Sequence, residues 1–211
     1  SHYAWFSNDP PLNRYFALLG ANDPLCWWLG KADRRSWLVA PRTEHVVFGG
    51  SVPSLGSNGF FVKRAYAQPF VAAWARSHID GCQAMADAGY RAYTVVDTVL
   101  WHHTGTTLVS YLTKRYRYGR RLALGQRRTW RMVATARDWG AVAVFVAASC
   151  LAVPHLWLSV RGYRHVRDAA WFLHAPLCGA LTCMYALLLG EALLRRAWSC
   201  ARRAGRAIRR S

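Results

Sequence analysis

Apolar and polar positions follow different periods along the chain, and each period marks a region. Asn8-Asp9-Pro10-Pro11 and Asn22-Asp23-Pro24 place a capping residue before proline. That pairing suits a helix start, with Asp9 and Asp23 as caps and proline in the first turn. Leu12–Leu19 then reads as a short amphipathic helix, and Leu25–Leu29 as another, closed by Gly30. Lys31-Ala32-Asp33-Arg34-Arg35 is a charged turn. Val46-Val47-Phe48 is apolar and β-branched, which predicts a short buried strand. Tyr66–Ala75 reads as loop and partial helix. Asp80–Ala88 has helical spacing, with Cys82, Met85 and Ala86 on the inner face. From Arg91 to Leu100, Ala92, Thr94 and Val96 alternate with Tyr93 and Val95, which predicts one strand. Thr106 and Thr107 start a helix through Leu108, Tyr111, Leu112, Arg115 and Tyr116.

Two long apolar stretches follow. Trp139–Val160 is 22 residues long, and a bilayer core takes about 20 helical residues. Pro154 predicts a kink in its second half. After a polar link, Arg161–Asp168, comes Ala169–Leu194, with His174 near one end and Glu191 near the other. The pair reads as a transmembrane hairpin. Nine Lys and Arg precede it in Lys114–Arg137, three lie in the link and seven follow in Arg195–Arg210. This bias places both termini in the cytoplasm and the link outside.

Composition supports the membrane assignment. Of 211 residues, 53% are hydrophobic and eleven are Trp, with a net charge of +18. Charge of that size points to nucleic acid, anionic lipid or a phosphorylated substrate. Its position beside the apolar stretches favours lipid and argues against nucleic acid. The helix carrying Lys114, Arg115, Arg117, Arg120 and Arg121 among tyrosines suits the membrane interface. The six cysteines form no C-x-x-C pair and read as free thiols. The chain opens mid-theme at Ser1-His2-Tyr3, as a piece of a longer protein would.

The candidate chemistry lies in Gly49–Asp80. Gly56, Asn58 and Gly59 tolerate positive φ, so backbone there can turn sharply beside a ligand. Phe60-Phe61-Val62 and Lys63-Arg64 follow, and Asp80 comes sixteen residues on, at the head of a helix. Two readings of Asp80 stand at this point. It is a general base near a glycine-rich loop, or it caps its helix while Gly-Ser-Asn-Gly is a surface turn.

Four stretches together resemble the C-terminal part of family 2 membrane glycosyltransferases. The first runs from Arg14-Tyr15-Phe16 through Ala21-Asn22-Asp23-Pro24 to Leu29-Gly30-Lys31-Ala32-Asp33-Arg34. The second, Leu55-Gly56-Ser57-Asn58-Gly59-Phe60-Phe61-Val62-Lys63-Arg64, is similar to the family's segment beside the donor sugar. His78-Ile79-Asp80 stands where the family has its Glu-Asp or Ile-Asp motif. Ala88-Gly89-Tyr90 with Val99-Leu100-Trp101-His102-His103 is similar to the closing helix, turn and strand. The likeness covers about residues 12–134.

This resemblance implies an α/β fold: the C-terminal half of a GT-A, Rossmann-like glycosyltransferase domain in residues 1–112. A basic amphipathic interface segment would follow in 113–137, two transmembrane helices in 138–195 and a basic cytoplasmic tail in 196–211. It implies inverting transfer of a hexosyl-type sugar from a nucleotide-sugar donor to a lipid-linked or cell-envelope glycan acceptor. Asp80 would be the base. Gly56, Ser57, Asn58, Gly59, His78, Trp101, Lys114, Arg115, Gln126 and Trp130 would bind substrate. Lys114 or Arg115 would help hold the leaving diphosphate. The family uses a divalent metal, Mg2+ or Mn2+, held by an Asp-x-Asp pair that this sequence lacks. The nucleotide half is therefore expected upstream, and these residues alone are not expected to be active. His102 or His103 would complete the metal's coordination, or else sit in a polar network at a strand end. Gln126-Arg127-Arg128-Thr129-Trp130 keeps Gln and Trp of the processive Gln-x-x-Arg-Trp motif but has Thr for Arg, which favours single-sugar transfer. Trp27, Trp28 and Trp37 read as packing residues. A non-catalytic, membrane-anchored assembly subunit or decayed transferase that binds anionic lipid is the alternative.

Overall fold

The computed structural model describes residues 2–32, 34–40, 42–47, 52–54, 59–101, 107–123 and 129–208. In order, the elements are β1 (His2–Ala4), α1 (Pro11–Leu19), α2 (Pro24–Trp28), β2 (Glu44–Val47), α3 (Arg64–Ala67), α4 (Val71–Arg76), α5 (His78–Asp87), β3 (Ala92–Val95), β4 (Val99–Trp101), α6 (Leu108–Ala123), α7 (Ala136–Leu151), α8 (Val153–His165) and α9 (His174–Ile208). Short 3-10 turns, Gln68–Phe70 and Ala169–Leu173, lead into α4 and α9.

The strands form two pairs. β1 runs parallel to β4, with Tyr3 opposite Leu100, and β2 runs antiparallel to β3, with Val46 opposite Tyr93. The single strand expected over Arg91–Leu100 is therefore divided: Val96-Asp97-Thr98 interrupts it, and its halves join different sheets. The buried strand expected at Val46–Phe48 is also corrected. Among the described residues β2 has one neighbour, and it alternates between half-buried and exposed, with Val47 76% exposed. Phe48 lies outside the described residues.

Prolines start α1 and α2 as expected, but only one of the two predicted acidic caps forms. Asp23 accepts from the Leu25 amide at 2.9 Å. Asp9 instead accepts from the Phe6 amide and the Asn13 side chain, and Pro10 holds the cap position of α1. Gly20 ends α1 at φ 74°, where a Cβ would lie 2.3 Å from the Arg35 carbonyl oxygen, so only glycine fits.

The core is centred on α1. Tyr15, Phe16, Leu18 and Leu19 have no exposed surface and pack with Tyr111 of α6, Trp171, and Leu177 and Leu181 of α9. The short amphipathic helix expected here forms, but its polar positions are not left to solvent. The polar positions are absorbed instead: Asn13 bonds Asp9, and Arg14 pairs with Asp168 at 3.2 Å.

Two polar centres join distant segments to this core. Asp23 accepts from the Tyr185 hydroxyl at 2.5 Å and faces Arg115 at 3.6 Å, while Tyr111 donates to the Asn22 carbonyl at 2.8 Å. Lys31 Nζ donates to Asp138 at 2.8 Å and to the Met132 carbonyl at 2.6 Å. Both members of that pair are buried, so losing one would leave an uncompensated charge.

α6 begins beside Thr107, whose Oγ1 accepts from the Ser110 amide at 3.2 Å. It lies along α9. Tyr116 and Arg120 both donate to Glu191 at 2.9 Å, and Arg195 donates to it at 2.7 Å. Arg115 and Arg120 are thus turned toward carboxylates of this chain, and Lys114, Arg117 and Arg121 form the exposed basic side. The helix over Ala169–Arg195 is long and apolar enough to cross a membrane. α7 and α8 are so only when taken together, and they meet at 87°. The break falls at Ala152, with φ 59°, and Pro154 follows in the first turn of α8.

Candidate functional site

α5 starts three residues earlier than its cap reading required. Ser77 is the cap, accepting from the Ile79 amide at 3.2 Å. The reading of Asp80 as a helix cap is therefore corrected. Asp80 is only 1% exposed. Its Oδ1 accepts from the Thr129 amide at 3.1 Å, the Thr129 hydroxyl at 2.9 Å and the Trp130 amide at 3.0 Å. Its Oδ2 is buried and has no hydrogen-bond partner. Buried polar atoms are nearly always paired, so such an atom calls for a physical reason.

Trp130 closes the arrangement. Its indole N–H donates to the Val52 carbonyl at 2.8 Å, and its ring packs with Val52, Cys82 and Ala86. On the other side of α5, Trp74 lies over Gly81, where a Cβ would be 2.3 Å from the indole. The helix is thus held between Trp74 and the 129–130 segment, which fixes Asp80. Thr129 occupies the position that Arg holds in the Gln-x-x-Arg-Trp motif, and it grips Asp80 through its hydroxyl.

A cleft of about 1060 Å³ opens alongside. Ligand pockets run to about 300–1,000 Å³. Val52 and Cys82 line it, although Asp80 does not. Arg34, Arg35, Lys63 and Arg91 face it with one carboxylate, Glu44, which is ion-paired to Arg35. The excess of cations suits an anionic ligand. Burial pushes the Cys82 thiol up to about 11, which leaves it protonated and unreactive at neutral pH.

The other predicted site residues are dispersed or undescribed. Gly59 borders the cleft against Leu100, at φ 55°. His78 is exposed at the start of α5. Trp101 is 60% exposed and stacks on Phe6 with centroids 4.1 Å apart. Lys114 is exposed on α6. Arg115 is bound to Asp23 and to the Asn22 carbonyl, so the structure gives it a holding role. Gly56, Ser57, Asn58, His102, His103 and Gln126 lie outside the described residues.

Among the described residues, no group of oxygen ligands is spaced to hold the divalent metal that the resemblance implies. Mg2+ and Mn2+ prefer oxygen ligands. Among the described residues, the one group spaced to hold an ion is His155, His174 and Cys178, which offers nitrogen and sulfur.

Sequence reasoning missed Thr129 as a partner of Asp80, and Lys31 and Asp138 as a buried pair. Thr129 had a signal, since it stands at the motif position normally held by Arg. No family model, curated protein or solved structure matches the chain.

Proposed function

We propose that the chain is the acceptor-side part of a membrane-bound inverting glycosyltransferase, with Asp80 as its general base. The observation that carries this is the meeting of Asp80 with Thr129 and Trp130 across about fifty residues of sequence. The resemblance named these two motifs independently, and the fold brings them together. Three donors on Oδ1 fix the carboxylate, and Oδ2 is left for an acceptor hydroxyl. That hydroxyl would give its proton to Oδ2 as its oxygen attacks the anomeric carbon and the nucleoside diphosphate departs. The cationic cleft suits the phosphates of a nucleotide sugar.

The burial of Asp80 also favours a second reading. In a non-catalytic anchored subunit, Asp80 would serve only as a clasp for the 129–130 segment, and the exposed basic side of α6 would bind anionic lipid. The discriminating assay supplies a panel of labelled nucleotide sugars to membranes containing the protein. Transfer of label from one of them to a lipid or glycan acceptor, lost in Asp80→Asn, supports the transferase. Binding to anionic vesicles with no response to any nucleotide sugar supports the anchor.

A further inference from the structure

A second cluster lies at the bend between α7 and α8, and the transferase reading makes no use of it. His155 is in the first turn of α8. His174 heads α9, and Cys178 follows one turn later on the same face. All three have no exposed surface. One ligand atom from each lies within 4.8 Å of the others. His155 Nδ1 is 3.3 Å from His174 Nε2, and Cys178 Sγ is 3.8 Å from that same nitrogen. With metal–nitrogen bonds of about 2.0–2.1 Å and metal–sulfur bonds of about 2.3 Å, tetrahedral ligands stand about 3.3–3.6 Å apart. These two separations meet that spacing to within a few tenths of an ångström, and all three ligand atoms lie within 4.8 Å of one another.

The outer nitrogens are held as those of metal ligands are. Ser149 Oγ donates to the Phe145 carbonyl at 2.9 Å, so its lone pair faces His155 Nε2 at 3.1 Å and takes that N–H. The Nδ1 lone pair of His155 then points inward. The Tyr15 hydroxyl stands 2.7 Å from His174 Nδ1 and can hold that ring the same way. In that tautomer the two imidazole lone pairs face each other and a cation between them satisfies both, whereas in the other tautomer His174 Nε2 donates to His155 Nδ1 and the Tyr15 hydroxyl donates to His174 Nδ1. A proton would serve for the histidines alone, but it leaves the adjoining thiol unexplained. Cys178 Sγ lies beside the His174 ring, 3.8 and 3.9 Å from its two nitrogens.

We propose that His155, His174 and Cys178 bind a soft metal ion that locks the α7–α8 bend to α9. The donor set excludes hard cations and suits Cu+ or Zn2+. Charge balance selects Cu+. One thiolate neutralises it, whereas Zn2+ would leave net charge in a site walled by Trp27, Trp28 and Phe145.

The test uses the whole chain in detergent. Cu+ is titrated in competition with a chromophoric Cu+ chelator, and Co2+ serves as the probe for a zinc-type ion. The wild type is expected to retain one equivalent of Cu+. Cys178→Ser, close in size, should lose it. Ser149→Ala should bind about 10–100-fold more weakly, because the supporting hydroxyl is gone. Far-ultraviolet circular dichroism checks that each variant is folded. Equal Cu+ uptake by wild type and Cys178→Ser, or none by either, would overturn the site. Co2+ binding with thiolate charge-transfer absorption but no Cu+ retention would overturn the assignment to a monovalent ion. These outcomes are independent of whether any sugar is transferred.

Discussion

The surroundings of Asp23 and Asp80 teach opposite lessons about a buried carboxylate. Asp23 lies where α2, α6 and α9 meet, and each helix sends it a group: the Leu25 amide, Arg115 and the Tyr185 hydroxyl. Both of its oxygens are engaged, and the aromatic core of α1 lies alongside. Such a carboxylate holds helices together. Asp80 lies where the strands are short, Val47 and Trp101 are exposed, and a cleft stands open. One of its oxygens has three partners and the other none. The first arrangement is complete as it stands. The second leaves one buried oxygen without a partner, and the proposed acceptor hydroxyl would complete it.

The largest stability contrast should follow the same division. Phe16→Ala empties a fully buried site and should cost about 3–5 kcal/mol. Val47→Ala on exposed β2 should change stability by less than about 0.5 kcal/mol. Denaturant unfolding followed by tryptophan fluorescence reads both. Similar losses would mean that the two regions are equally packed.

A smaller effect concerns pH. His2 is buried, with Nε2 3.2 Å from the Ser36 carbonyl and 2.9 Å from that of Val39. Burial lowers its pKa from the ordinary 6.5. The unfolded chain then takes up this proton more readily than the folded one. The His2 contribution is therefore intact above about pH 6.5 and is lost as pH falls toward the lowered folded value. Unfolding midpoints at about pH 7.5 and about pH 5.5 should differ in that direction, and His2→Gln should flatten the difference. An unchanged slope would remove His2 as its source.

Local signals were legible in the sequence where a single segment carries them. Pro11 and Pro24 start α1 and α2, Thr107 starts α6, and the bend comes beside Pro154. What joins segments was not legible. Alternation through Ala92–Val96 cannot show that Asp97 and Thr98 leave one sheet before Val99 enters another. The pattern of α1 looks one-sided until Asp9 and Asp168 absorb Asn13 and Arg14. The pairing of Lys31 with Asp138 spans more than a hundred residues, and composition assigns both to solvent. Asp80 was singled out as a candidate base or a helix cap, but its grip by Thr129 and Trp130 exists only in three dimensions.

The most direct test of the central claim is the single-turnover transfer rate of Asp80→Asn, in the longest form of the protein that cells make. Asparagine can present its oxygen to Thr129 and Trp130 in place of Oδ1, so it keeps the clasp while removing the basic oxygen. Asp87, exposed on the same helix and bonded to Gln83, is the control. If Asp80 is the base, its variant should lose about 10²–10⁴-fold in rate. Nucleotide-sugar affinity should change little, and Asp87→Asn should behave as wild type. An Asp80→Asn protein that is folded and within about threefold of the wild-type rate, less than about 1 kcal/mol in barrier, would leave Asp80 as a clasp alone.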